Sequence, residues 1–369
     1  MSVLILASEV RTCLGDGDAT YAALLAGRTG VAPLRGVDGA RINVLHGYEI
    51  PGADHGRPLR AGAWLAQCVT AALRRAGVDL AAEPARRVTA VVGTGLRELS
   101  AVEAGDTRAE DLHFAGVVRA AAPVLGEVLT IANACSAAGH ALALGQDLLE
   151  LGDADVVVVG GADAMTESML AMIGRMADAP TDRIRPFDAD RRGVLLGEGA
   201  AAVVLAREPS PGRRPVGRVL ATGLSCDAEH ETAPSADGIA RAMRDAYHRA
   251  GRAPSDVDLV VAHGTGTALN DPVEAGVLRA EVGGRPLVTA VKGAIGHTSG
   301  GSALMSLDVA LRCLAGGPVP PVVGLREPAP EAHGLRLVTG APAPGRIRLA
   351  QVDAFGFGGV NAVTLVAAP

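Results

Sequence analysis

Short runs of Val, Leu, Ile and Ala, most of them closed by glycine, alternate along this chain with longer stretches of helical periodicity. A run that is apolar on both faces and too short for a helix suits a strand buried in a sheet covered on both sides, so the pattern indicates an α/β fold. Strands are expected at 3–7, 88–92, 128–132, 156–159, 201–205, 216–221, 259–262, 287–291, 349–352 and 362–366. Helices are expected at 61–76, 136–151, 239–250, 272–282 and 302–314, the last two opening on Pro272 and Ser302. With 369 residues, 49% of them hydrophobic and 20% charged, the chain can fill one large core or two closely packed halves. The break in composition at 207–217, rich in Pro, Gly and Arg, divides it into 1–207 and 208–369. The halves are faintly alike: Asp153-Ala-Asp-Val resembles Asp256-Val-Asp-Leu, and Gly197-Glu-Gly-Ala resembles Gly358-Gly-Val-Asn, which suggests a duplication.

Several classes of partner are excluded by composition. A net charge of -6 and an aromatic content of 2% leave neither a cationic groove nor stacking platforms for nucleic acid. The apolar run 3–7 is too short for a signal-peptide core, and no run is long enough to span a membrane. The five cysteines (Cys13, Cys68, Cys135, Cys226, Cys313) include no Cys-x-x-Cys pair, which argues against a disulfide framework and a zinc knuckle and fits a reducing cytoplasm.

One imbalance is more pointed. Of 34 basic residues a single one, Lys292, is lysine. Either GC-rich coding has left it by chance, or it marks a site where a compact ammonium fits and a forked guanidinium does not.

Cys135 follows an expected strand and precedes an expected helix. A thiol at a helix N-terminus faces free backbone N–H groups and the positive end of the dipole, which favour thiolate and make sulfur a nucleophile. The alternative is a small buried cysteine, the expected state of the other four. His263 opens the loop His263-Gly-Thr-Gly-Thr, and His297 lies in Lys292-Gly-Ala-Ile-Gly-His297; both follow apolar strands, at the carboxyl ends where open α/β sheets gather catalytic groups. Neither has a metal-ligand partner at suitable spacing, so no metal is expected. Phe355-Gly-Phe-Gly-Gly is either a tight hairpin or a loop turning amides toward a ligand as an oxyanion hole. Asp188 and Arg191, in Arg185-Pro-Phe-Asp-Ala-Asp-Arg, are expected to pair beside this site.

Taken in order, Asn133-Ala-Cys135-Ser, Arg185-Pro-Phe-Asp, His263-Gly-Thr-Gly-Thr, Asp271-Pro-Val-Glu274, Lys292-Gly-Ala-Ile-Gly-His297 and Phe355-Gly-Phe-Gly-Gly-Val-Asn361 resemble the β-ketoacyl-acyl carrier protein synthases along the whole chain. The resemblance implies the thiolase fold, two βαβαβαββ halves in a five-layer α/β/α/β/α body, usually dimeric. It also implies an acyltransferase that joins acyl-Cys135 to a malonyl-type carrier thioester by decarboxylative Claisen condensation, in fatty-acid or polyketide biosynthesis. The amides of Cys135 and Phe357 would form the oxyanion hole, His263 and His297 would hold the enolate oxygen, and Lys292 would orient the site in a short-range pair with Glu274. Two histidines, where initiating relatives have His and Asn, imply the elongating branch. Phe355, Gly356, Gly358, Thr265, Thr267 and His230 would line the pocket or its mouth, and Arg57 and Arg60 would dock the acidic carrier. Phosphopantetheine would arrive on the acyl carrier protein, and no cofactor of the chain's own is implied. The assembly would be a homodimer, or a heterodimer with a ketosynthase-like partner. Alternatives are a subunit of the chain-length-factor kind, and an acyltransferase or cyclase using Cys135 without condensation. Departures lie at 32–57 and 95–128, where less chain is present than in ordinary elongating members, at Asn133 and Ala137 beside the cysteine, and at Arg192, where an acidic residue is common.

Overall fold

The computed structural model describes residues 3–52, 58–78, 87–105, 107–123, 125–210 and 212–369. All the expected strands form. In the first half they are β1 (Val3–Thr12), β2 (Val88–Gly93), β3 (Val128–Ile131), β4 (Val156–Asp163) and β5 (Gly199–Ala206). In the second they are β6 (Gly217–Cys226), β7 (Leu259–Val261), β8 (Leu287–Thr289), β9 (Leu349–Gly356) and β10 (Val360–Ala367).

The two halves repeat one topology. The first sheet runs β3-β2-β4-β5-β1 and the second β8-β7-β9-β10-β6, with the two-residue strand Arg336–Leu337 added outside β8. In each, the first three strands of that order are parallel and the remaining pairings antiparallel. The sheets are joined edge to edge where Val3, Leu4 and Ile5 of β1 pair with β6. The strand order decides between the two sequence likenesses. Gly197-Glu-Gly-Ala and Gly358-Gly-Val-Asn lead into β5 and β10, which hold equivalent places. Asp153-Ala-Asp-Val and Asp256-Val-Asp-Leu lead into β4 and β7, which do not, so that second likeness reflects only the apolar character of buried strands.

Alternation along the strands builds the layers. Val157 and Val159 of β4 and Val203 and Leu205 of β5 face inward, with Ala350 and Val352 of β9, onto a central core shared with α2 (Ala137–Leu151) and α6 (Ser302–Leu314). Their neighbours Val156, Val158, Ala202 and Val204 face outward onto α1 (Arg60–Ala76). On the far side Val260, Val363 and Leu365 pack beneath α4 (Ala236–Ala250) and α5 (Asn270–Glu281). The result is the expected five-layer α/β/α/β/α body. Every residue of α6 except Arg312 is buried, as a helix sandwiched between two sheets must be. A further helix, α3 (Glu167–Arg175), absent from the sequence reading, lies between β4 and β5.

Arg60 departs from expectation. It is the first residue of α1 and is buried, its Nη2 bonded to Glu198 at 2.9 Å with both side chains shielded from solvent. A guanidinium committed to a buried carboxylate cannot dock a carrier, so the docking role expected for Arg60 is withdrawn. Arg57, the other docking candidate, lies outside the described residues. Among the described residues no helix is long and apolar enough to cross a membrane.

Candidate active site

The sulfur is presented by a strained turn. After β3 the chain makes the short turn Ala134–Ser136 before entering α2, and Ala134 sits at φ 58°, the left-handed region that a side chain disfavours. The first turn of α2 also packs directly on the end of β2, where a Cβ on Gly93 would lie 2.4 Å from the Ala138 nitrogen, so only glycine admits this approach. Opposite, β9 and β10 form a hairpin whose turn residues Gly358 and Gly359 take φ 80° and 75°. The Phe355-Gly-Phe-Gly-Gly motif is thus both things the sequence allowed: a tight hairpin, and one that turns the Phe357 N–H toward the Cys135 sulfur, which the Cys135 N–H also faces.

Two histidines complete the cluster. The His263 and His297 rings meet edge to face with centroids 5.5 Å apart, and Phe355 packs on His263 at 5.5 Å. The Lys292 ammonium lies 3.2 Å from His263 Nδ1 and donates to the His263 carbonyl, while the Phe355 N–H approaches Nδ1 at 3.4 Å. With a cation and an amide proton both directed at Nδ1, that nitrogen is the acceptor and the ring proton sits on Nε2, which becomes a hydrogen-bond donor. Burial and the Lys292 charge hold both histidines well below the usual imidazole range, so they are neutral near pH 7. His297 is held through its backbone, its N–H donating to the Leu195 carbonyl at 2.9 Å and its carbonyl accepting from Gly197 at 3.0 Å.

The first turn of α5 clamps the histidine loop. Glu274 accepts from the N–H groups of His263 (2.7 Å) and Gly264 (2.8 Å) and from the Asn270 side chain (2.9 Å). Asp271 accepts from the N–H groups of Phe187, Thr265 and Gly266 at 2.7–3.1 Å. This corrects one expectation. Glu274 is buried near Lys292 but makes no ion-pair contact with it, because its oxygens are taken by loop amides; the ammonium instead contacts His263. Burial lowers the Lys292 pKa even though Glu274, Cys135 and Asp271 counteract the shift.

The cysteine also departs from the helix-terminus argument. Burial pushes the Cys135 thiol up to about 11, outweighing the Lys292 charge and the two amides that pull it down. Burial therefore favours the thiol over the thiolate at rest. Of the remaining cysteines, Cys13, Cys68 and Cys313 are buried as expected, whereas Cys226 is exposed.

Cys135, His263 and His297 open into one cavity of about 460 Å³ that Thr265, Thr267, Phe355, Gly356 and Phe357 also line. Gly358, expected to line the pocket, is instead exposed in the hairpin turn and does not line the cavity, and Lys292 and Glu274 are buried. His230 is not part of it: the ring is exposed and its Nδ1 accepts the Thr232 and Ala233 N–H groups at 3.0 Å, which stabilises its own loop. Arg191 lines the cavity without pairing with the Asp188 carboxylate; it bonds the Asp188 carbonyl at 3.1 Å and Glu331 at 3.3 Å, while the Asp188 oxygens hold the N–H groups of Arg326 and Glu327. Sequence reasoning missed the opposite wall, made by Met169, Met172, Ile173 and Met176 on and just after α3. Their i, i+3, i+4, i+7 spacing was the available signal. Among the described residues, no three His, Cys, Asp or Glu side chains converge as metal ligands.

Comparison with known proteins accords with this geometry. Residues 60–210 match the family Beta-ketoacyl synthase, N-terminal domain, and residues 216–326 match Beta-ketoacyl synthase, C-terminal domain. The chain is 32% identical over 370 residues to Nodulation protein E of Rhizobium meliloti (strain 1021), covering 91% of each protein. It is 33% identical over 248 residues to 3-oxoacyl-[acyl-carrier-protein] synthase 2 of Mycobacterium bovis, covering 63% of this chain and 59% of that one. Among solved structures it superposes on the ishigamide ketosynthase/chain length factor with TM-score 0.90 and 29% identity, over 100% of this chain and 99% of the other. The cysteine on its strained turn, the paired histidines and these matches agree: the chain belongs to the β-ketoacyl synthase family.

Proposed function

We propose that this chain is a stand-alone elongating ketosynthase in which Cys135 carries the growing acyl group. The observation that supports this reading most is the convergence of Cys135, His263 and His297 on one cavity, with Nε2 of His263 left as a donor by Lys292. In the first half-reaction the Cys135 sulfur attacks the carbonyl of an acyl-phosphopantetheine thioester. The N–H groups of Cys135 and Phe357 donate to the developing oxyanion, and the phosphopantetheine thiol leaves with the proton lost by Cys135. In the second, a malonyl-type thioester loses carbon dioxide, and the enolate oxygen is held by donors from His263 and His297. The enolate carbon attacks acyl-Cys135, forms the new carbon–carbon bond and expels the sulfur. Neutral histidines suit this role, because they donate to the enolate without transferring a full proton to it.

Glu274 and Asp271 act at one remove, fixing the loop that carries His263. Thr265, Thr267 and Phe355 line the path of the phosphopantetheine arm, which is supplied by the carrier, so the reaction uses no cofactor of its own. The substrate is an acyl carrier protein thioester, as the name of the Mycobacterium bovis relative states for that enzyme. With Arg60 buried, docking falls to the mouth of the cavity, where Arg192 is exposed. The boundary between the two halves falls at residue 207, and the chain works in the cytoplasm as a homodimer. The outer edge of β3, half-buried and carrying Val128, Leu129 and Ile131, pairs with no strand among the described residues and is of the kind that a partner subunit covers.

The test is Cys135→Ala, assayed with acyl and malonyl carriers. Loss of ketoacyl product in a folded variant is expected, and product formation at the parent rate would overturn the reading. Acylation of Cys135 that malonyl carrier never discharges would support an acyltransferase or cyclase. Recovery of the chain only in a complex with a second ketosynthase-like subunit, with no acyl-Cys135 formed, would support a chain-length-factor role.

A further inference from the structure

Asp163, the last residue of β4, is completely buried and takes no part in the chemistry just described. Its carboxylate accepts from four donors: Thr94 Oγ1 at 2.6 Å, the Gly95 N–H at 2.9 Å, the Leu96 N–H at 2.8 Å and the Gly300 N–H at 2.7 Å. The first three belong to the loop after β2 in the first half of the chain. The fourth belongs to the turn three residues beyond His297 in the second half.

These two loops press on each other with no room to spare. A Cβ on Gly300 would lie 2.2 Å from the Gly95 nitrogen, and one on Gly95 would lie 2.2 Å from Ser299 Oγ. Gly95 and Ser299 both line the cavity beside Cys135, and Ser302 Oγ donates to the Cys135 carbonyl at 3.3 Å. Without a bridging acceptor the N–H groups of Gly95, Leu96 and Gly300 would face one another as buried, unsatisfied donors.

We propose that Asp163 is a positioning residue for condensation, a single carboxylate that ties the loop after β2 to the turn that follows His297, at the expense of placing a negative charge near the Cys135 sulfur. The inference rests on the roles proposed above for Cys135 and His297. The charge is felt at the sulfur, where Asp163 opposes the Lys292 cation and disfavours thiolate. The residue therefore acts on the two half-reactions with opposite sign. It restrains the nucleophile and aligns the group that stabilises the enolate. A purely structural buried acid would move both in the same direction.

Asp163→Asn separates these effects. The amide oxygen can still accept from Thr94 and Leu96, but the NH2 group meets the Gly300 N–H donor to donor, and the tie is lost. Two readouts are compared with the parent protein: the pH midpoint of Cys135 alkylation by iodoacetamide, and the rate at which malonyl carrier discharges acyl-Cys135. The alkylation midpoint is expected at lower pH and the discharge about tenfold slower. Thr94→Val, nearly isosteric, removes the hydroxyl that orients the carboxylate and that also accepts the Arg97 N–H at 2.7 Å, and is expected to slow discharge by a smaller factor without moving the alkylation midpoint. Discharge at the parent rate in D163N, or slower discharge with the alkylation midpoint unmoved or shifted to higher pH, would overturn the inference; if D163N does not fold, undiminished discharge in T94V does so. A parent protein that never discharges acyl-Cys135 would instead defeat the proposed function, and this inference with it.

Discussion

Replacing Lys292 by methionine tests the logic of the site at its centre. Methionine fills the same buried space but has no donor and no charge. Two contacts vanish: the bond to the His263 carbonyl, and the ammonium 3.2 Å from His263 Nδ1 that fixes the imidazole proton on Nε2. A hydrogen bond from a charged donor contributes about 1.5–3 kcal/mol. At about 1.36 kcal/mol per factor of ten, losing it in the transition state slows malonyl decarboxylation roughly tenfold to a hundredfold. The same change removes the cation that lowers the Cys135 pKa, so the thiol rises further above its parent value of about 11 and alkylation slows at neutral pH. The fold should survive, because the neighbouring carboxylates Glu274 and Asp271 are already bonded to amides and a desolvated cation is removed. Decarboxylation is followed as malonyl carrier converting to acetyl carrier by mass, alkylation by mass on the Cys135 peptide, and folding by thermal melting. A folded K292M that decarboxylates within about twofold of the parent would refute the reasoning.

Other consequences are as direct. Arg60→Met removes the ion-pair partner of the buried Glu198 and should cost about 3–5 kcal/mol in denaturant unfolding, where an exposed docking arginine would cost almost nothing. The rate of Cys135 alkylation should climb about tenfold per pH unit from pH 7 toward its plateau near the thiol value of about 11; a plateau near pH 7 would show a resting thiolate. Because both histidines sit well below the usual imidazole range, their protonation should leave decarboxylation unaffected between about pH 6 and 8, and a fall on acidification across about pH 6.5 would contradict their neutral state. Gly93→Ala drives a methyl into the Ala138 nitrogen at 2.4 Å and should displace the start of α2, lowering melting temperature and acyl loading together.

The strands and the site were legible in the chain for one reason: both are written in local sequence. A run such as 156–159 must be buried whatever surrounds it, and Cys135, His263 and His297 each follow such a run, the two histidines at glycine-rich turns. What escaped notice depends on partners far along the chain. Arg60 reads as a solvated helix start because Glu198, which buries it, lies 138 residues away. Lys292 reads as the partner of Glu274 until the amides of His263 and Gly264 are seen to occupy that carboxylate. Asp163 draws no notice in the sequence, because its donors come from both halves of the chain. The balance between thiol and thiolate at Cys135 was not legible for a different reason. A helix terminus sets a local field whose direction can be read from sequence, but desolvation depends on everything packed around the sulfur, and here desolvation is larger.

The central claim is that Cys135 accepts an acyl group and surrenders it to a malonyl-derived carbanion. The measurement that tests it most directly is the mass of the Cys135 peptide, first after incubation with short, medium and branched acyl carrier thioesters, then after addition of malonyl carrier. The account predicts an acyl adduct on Cys135 that disappears when malonyl carrier is added, with a product on the carrier two carbons longer than the loaded chain. An adduct that persists, or no adduct on that peptide while product still forms, would contradict it.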